Sequence, residues 1–300
     1  MSLLSIVLLH LGLAAIQIAT VWGLYVTYGL SGQLSLFQAA AFAVGAYAAA
    51  LVLNVMPAIG LAGQVVFAPV AGLAAAAIVA SVVGLVLSKN ETDYVALLTL
   101  AMSELLRLTI GNWGALGGWN GMDLADAAGT GEGSRLLARF AMTVWLILLA
   151  GTLIAWTKRS RHGDAFVVNR EQPALLPFLG LNPRIVRFRA FVLGSSIAGL
   201  AGGAYALLAF HVTPDLASIW KAIELLALAV LAGESLVAVV GVTTFVYLLK
   251  EALFFLDFQI PVPFGVTGRV PVQQVWPALV SVALVLVLAL RGRRQWRLVR

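Results

Sequence analysis

The sequence predicts an all-α integral membrane protein, a bundle of about nine transmembrane helices with a range of eight to ten. Three observations carry this. Of 300 residues, 61% are hydrophobic and only 11% charged, with a mean hydropathy of +0.99, whereas a soluble domain is about 45–50% apolar and about 25% charged. Apolar runs able to cross a hydrocarbon core of about 30 Å, which takes roughly 20 helical residues, recur along the whole length. Lys and Arg collect in a few connections between those runs, as they do where loops stay on the cytoplasmic side.

The first run, 3–28, has no Lys or Arg before it and no small-residue cleavage site after it, so it is expected to remain as a helix and not to be removed as a signal peptide. The second, 34–53, begins polar and turns alanine-rich. The third, 61–87, contains Pro69 and Gly72 and reads either as one tilted helix or as two broken halves. Then come 94–110, 136–156, 190–210, 216–233, 236–256 and 275–290. The chain is read as one transmembrane domain, 1–300. With no cysteine there is no disulfide framework, no thiolate metal site and no thiol nucleophile.

The connection 158–189 holds Lys158, Arg159, Arg161, Arg170, Arg184, Arg187 and Arg189, and the C-terminal tail holds five arginines from Arg291 to Arg300. Both are expected in the cytoplasm. The loop 112–134 has no Lys or Arg and carries Asp123, Asp126 and Glu132, while 257–274 has Arg269 alone, so both belong outside. Nine crossings, with the N-terminus outside and the C-terminus cytoplasmic, satisfy all four assignments. The net charge of +6 is then mostly topology, with contact to anionic lipid as a secondary effect; nucleic acid is a poor partner, because the basic residues flank helices.

The start of the second run is the most informative stretch. Ser31, Gly32, Gln33, Ser35 and Gln38 fall within eight residues. Polar groups in lipid are costly unless they pair with protein or face water, so the cluster belongs inside a bundle or along a cavity, and Gly29 and Gly32 permit a backbone break. The plainer alternative is a packing helix whose polar start is an interfacial turn.

Three blocks give the chain a family likeness. "GLSGQLSLFQAAAFAVGAYAAAL" at 29–51, "TDYVALLTLAMSELLRLTIGNWGALGGWNG" at 92–121 and "LGLNPRIVRFRAFVLGSSIAGLAGGAYALL" at 179–208 resemble, in order and spacing, signature stretches of the membrane permease subunits of branched-chain amino-acid (Liv-type) ABC importers. The resemblance runs from about residue 29 to residue 233. It implies a permease in the inner (plasma) membrane that works with a homologous second permease, two cytoplasmic ATP-binding subunits and a periplasmic solute-binding protein. The chain has no G-x-x-x-x-G-K-[ST] phosphate cradle, so ATP and Mg²⁺ are expected on the partner subunits and no cofactor in this chain. The solute is expected to be a branched-chain or hydrophobic amino acid, or a related urea, amide, aromatic acid or small carboxylate.

The resemblance assigns a substrate pathway to Ser31, Gly32, Gln33, Ser35, Gln38, Glu104, Arg107, Asn112 and Asn120 on the matched blocks, and to Glu224 in "SIWKAIELLALAVLAG", 218–233, which is similar to a further stretch of the family. Residue chemistry bears on two pairs. Glu104 and Arg107, and again Lys221 and Glu224, stand at i, i+3 on one helix face, close enough to pair. They read as neutralised braces between helices, or as carboxylates shaping the entry for a zwitterion. Arg170, Glu171, Ala174, Gly180 and Asn182 lie in "NREQPALLPFLGLN", 169–182, which is similar to the family's segment that docks on the ATP-binding subunit. Here Pro173 and Pro177 replace acidic residues, so a shorter or kinked coupling helix is expected within the loop 158–189, in place of a plain solvated basic loop. A second departure is Glu234, with Ala238 and Val239 where the family shows a Gly-Pro pair.

Two other classes compete. A secondary transporter or channel for a small polar solute would also suit Gly-interrupted, polar segments. An intramembrane enzyme would need a catalytic set, and the sequence offers only three isolated histidines, no H-E-x-x-H and no recognisable Ser/His/Asp set.

Overall fold

The computed structural model describes residues 3–55, 61–87, 92–124, 132–233 and 235–255, strands at 259–261 and 269–271, and positions 276, 279 and 282. The remainder of the predicted segment 275–290, the C-terminal arginines, Asp126 and Glu234 lie outside the described residues. Nine α-helices are described: α1 (Leu3–Leu24), α2 (Gln38–Val55), α3 (Leu61–Leu87), α4 (Thr92–Asn112), α5 (Glu132–Arg159), α6 (Arg161–Glu171), α7 (Pro183–Ala209), α8 (Ile219–Ala232) and α9 (Leu236–Phe255). Six of the described helices are long and apolar enough to cross a membrane: α1 to α4, α7 and α9.

α7 is the hub. In an 18-residue apolar stretch of α7, 83% of the residues are buried, against 28% in that of α4 and 17% in that of α9. Small residues make this possible. A Cβ on Gly72 would come within 2.5 Å of the Gly199 carbonyl oxygen, and one on Gly194 within 2.5 Å of the Gly23 carbonyl oxygen, so α3 and α1 touch α7 backbone to backbone. The "SSIAGLAGG" run of α7 is thus a packing surface. α3 is a single helix despite Pro69. The backbone of α7 closes on that site, with Gly203 so near that a Cβ would lie 2.7 Å from Pro69 Cα.

The segment expected at 216–233 differs from the prediction. Pro214 opens a short 3₁₀ turn, Pro214–Ala217, and Ser218 caps the helix, its Oγ accepting from the Lys221 amide at 3.4 Å. α8 therefore has only 14 residues, about 21 Å, less than the hydrocarbon thickness.

The ends of the bundle are distinct. The 27 residues of α7 separate them by about 40 Å. One end carries Met122–Asp123 paired antiparallel with His211–Val212, and the Asn54 amide at the end of α2 donates to the Asp123 carbonyl at 3.1 Å. The other carries the α5–α6 junction and residues 172–182.

Candidate functional site

A cavity of about 550 Å³ opens between α1, α7, α8 and α9. α8 brings Lys221 and Glu224 onto one face, and Lys221 Nζ lies 3.0 Å from Glu224 Oε2. Two residues from other helices complete the cluster. Gln17 Nε2 donates to Glu224 Oε1 at 3.3 Å, and Lys250 Nζ stands 3.9 Å from the same oxygen. Glu224 is 9% exposed. Nearby, His10 Nε2 is 3.1 Å from Glu251 Oε2, tying α1 to α9. Leu13, Ile16, Phe42 and Tyr205 supply apolar wall. The sequence reading named Glu224 and its i+3 partner but missed Gln17, Lys250, Glu251 and His10. The signal was present, since each is a polar or charged residue inside an apolar run, and such residues mark partners or pathways.

The pair on α4 also forms. Arg107 donates through Nη2 and Nε to Glu104 Oε1 at 2.6 and 2.9 Å. It reaches farther than its own helix: Nη1 lies 3.4 Å from Asp215 Oδ1, and the guanidinium carbon sits 5.0 Å from the Trp119 ring centre. Asp215 also lines the cavity, so this cluster borders its rim. Asn112 and Asn120 are not brought in. The Asn112 side chain donates to the Leu108 carbonyl at 2.8 Å on its own helix, and Asn120 is exposed on the turn Gly118–Asn120.

The polar cluster before α2 lies elsewhere. α1 ends in a π-helical turn, Tyr25–Leu30, after which residues 32–36 run without regular structure. Ser31, Gln33, Ser35 and Gln38 are all buried, at 4% exposure or less, and their polar groups are engaged with protein. Gln33 Nε2 donates to Ser31 Oγ at 3.0 Å and to the Arg187 carbonyl at 3.1 Å. Ser35 Oγ accepts from the Phe37 amide at 3.3 Å. Gln38 Nε2 donates to the carbonyls of Thr20 at 3.2 Å and Gly194 at 3.0 Å, holding the first turn of α2 to α1 and α7. Gly32 adopts φ +72, a left-handed conformation that glycine takes without steric cost. The structure thus groups Ser31, Gly32 and Gln33 with α6 and the first turns of α7, while Glu224 lies in the cavity with Lys221 and Lys250.

At the loop end, α6 stops at Glu171, and residues 173–179 form two 3₁₀ turns, Pro173–Leu175 and Pro177–Leu179. Each opens on a proline, which has no amide to donate to the preceding turn, so the helix does not continue. Ala174 sits on the first turn, and Gly180 ends the second with φ +70. Asn182 caps α7, its Oδ1 accepting from the Arg184 amide at 3.0 Å. Leu176 is fully buried, whereas Phe178 is 87% exposed, an apolar knob on the second turn; Glu171, at the end of α6, is exposed too. Arg170 faces back into the bundle, its Nη1 donating to the Gly29 carbonyl at 2.7 Å.

The family described as "Branched-chain amino acid transport system / permease component" matches residues 6–290, well beyond the three blocks. Two curated relatives are the high-affinity branched-chain amino acid transport system permease proteins LivM of Salmonella typhimurium (strain LT2) and Escherichia coli (strain K12). They are 27% and 28% identical to this chain over 242 residues, covering 70% of it and 55% of each relative. The chain spans about half the length of these relatives. No solved structure matches it. With apolar membrane-length helices, a charged cavity inside the bundle and a family match that spans nearly all of the sequence, this multi-pass membrane protein belongs to the permease components of branched-chain amino acid transport systems.

Proposed function

We propose that the chain is one of two pore-forming permease subunits of an inner-membrane ABC importer for branched-chain or other hydrophobic amino acids. The observation that carries this reading is the cavity at Glu224 in a chain of this family. It sets two ammonium groups and three carboxylates against apolar walls, the combination that a zwitterion with an apolar side chain requires. A lone charge would favour a cation or an anion instead.

In this reading residues 1–300 are a single permease domain with nine crossings, the N-terminus outside and the C-terminus cytoplasmic. Solute enters past Glu104 and Arg107 and moves by Glu224, while Ser31, Gly32, Gln33, Ser35 and Gln38 hold the wall behind the path. The loop 158–189 couples to two ATP-binding subunits, with Arg170, Glu171, Ala174, Gly180 and Asn182 shaping the surface that meets them. ATP and Mg²⁺ stay on those partners, so the chain itself is not an enzyme, and a periplasmic solute-binding protein delivers the solute at the opposite face.

Purification in a mild detergent should bring down a homologous permease and two ATP-binding subunits with the chain. In sealed membrane vesicles, before detergent is added, cysteines introduced at Arg161 and Asp123 should label from opposite sides. A transport-active particle without any ATP-binding subunit would instead identify a secondary transporter or channel.

A further inference from the structure

The broken segment before α2 makes contacts that neither a pathway nor simple packing accounts for. Its carbonyls lie where α1 gives out, so no helical amide is in register to reach them, and side chains from α6 supply donors. Asn169, in the last turn of α6 and 7% exposed, donates through Nδ2 to the Ser31 carbonyl at 2.8 Å and to Ser31 Oγ at 3.2 Å. Arg170 donates to the Gly29 carbonyl. Gly32 lies so close to Arg170 that a Cβ would meet its Cγ at 2.8 Å and its Cα at 3.1 Å. Gln33 then ties the same knot to α7 through the Arg187 carbonyl.

The other end of the segment is held as well. The Leu36 amide donates to Thr99 Oγ1 at 3.0 Å, and Gln38 reaches the Thr20 carbonyl. Thr20 and Phe42, which follows on α2, line the cavity that holds Glu224. A continuous series of hydrogen bonds and a short stretch of irregular backbone therefore joins the root of the loop 172–182 to the cavity wall. The stretch is short and is held by hydrogen bonds at both ends, so a displacement at one end is passed to the other.

Resting on the coupling role proposed for the loop, we propose that Asn169 is a positioning residue: it clamps the end of α6 to Ser31, so that movement of the loop is delivered through residues 31–38 to the wall of the Glu224 cavity. The clamp acts between ATP turnover and transport and takes no part in either site.

The test uses the complete complex in vesicles, with leucine as the probe solute. Asn169→Ala should keep the ATP-binding subunits bound and should raise the ATP hydrolysed per leucine moved by about tenfold or more, since a buried donor to a backbone carbonyl is lost. Gly241→Ala on α9, where a Cβ meets nothing within 4 Å among the described residues, should change that ratio by less than about threefold. Should Asn169→Ala fail to accumulate, Gly32→Ala reads the same contact from the other side and should raise the ratio likewise. An unchanged ratio in an assembled variant overturns the clamp. Loss of the ATP-binding subunits on Asn169→Ala also overturns it, because the residue would then act in docking. A wild-type complex that moves leucine without ATP overturns the coupling role itself, and the clamp with it.

Discussion

Gly45→Ala should sharply reduce the yield of folded chain, although alanine is the better helix former by about 1 kcal/mol. Gly45 stands on α2 where that helix crosses α7, and a Cβ there would fall on the backbone of Gly199, with the Gly199 Cα at 2.5 Å and its carbonyl carbon at 2.7 Å. Backbone cannot rotate aside as a side chain can. The two helices must separate, and with them the third, because Gly72 of α3 meets the same two glycines from its own side. Overpacking of a filled core costs about 1–3 kcal/mol, occasionally more, and a clash that parts three helices belongs at the upper end. Gly241→Ala on α9 is the control, since a Cβ there meets nothing within 4 Å among the described residues. Fluorescence-detected size exclusion should show a monodisperse peak for Gly241→Ala and loss of that peak for Gly45→Ala. Equal peaks would mean that α2 and α7 cross at a greater distance.

Glu224→Gln should lower uptake by roughly thirtyfold. The carboxylate holds Lys221 at 3.0 Å and Lys250 at 3.9 Å, and the amide leaves those two ammonium groups facing each other. Breaking a fully buried pair costs about 3–5 kcal/mol. Here the lysine side chains are about one quarter exposed, so on the order of 2 kcal/mol is the appropriate scale, which corresponds to the thirtyfold figure. A triple variant separates a brace from a pathway. Replacing buried ionic partners together with apolar groups of similar volume is often neutral for stability, so Lys221→Met and Lys250→Met with Glu224→Leu should melt near the wild type. If the cluster only braces helices, uptake survives in the triple variant. A pathway role predicts a stable protein that does not transport.

Six of the nine predicted spans, their small-residue faces and the i, i+3 ion pairs were legible because they depend on local composition and helical spacing alone. α3 is one helix across Pro69 because α7 packs against it, which the residues around Pro69 do not encode. α8 is shorter than its apolar run because Pro214 and Ser218 set its start, a capping signal inside a stretch that hydropathy reads as continuous. The polar residues 31–38 were recognisable as satisfied groups, but composition does not say whether water or protein satisfies them. Their partners include the carbonyls of Thr20, Arg187 and Gly194. Every residue carries a carbonyl, so no residue type announces it, and two of these lie more than 150 positions away. Asn169 was likewise indistinguishable from a solvated loop residue until α6 was seen to turn it inward.

Uptake of radiolabelled leucine into sealed vesicles that carry the purified complex tests the central claim most directly, with ATP and Mg²⁺ supplied only on the side of the loop 158–189 and a solute-binding protein only on the other. The account predicts accumulation against a gradient that stops when ATP is omitted or replaced by a non-hydrolysable analogue, together with ATP hydrolysis that rises when the loaded binding protein is added. Accumulation that persists without ATP and follows an ion gradient would contradict it.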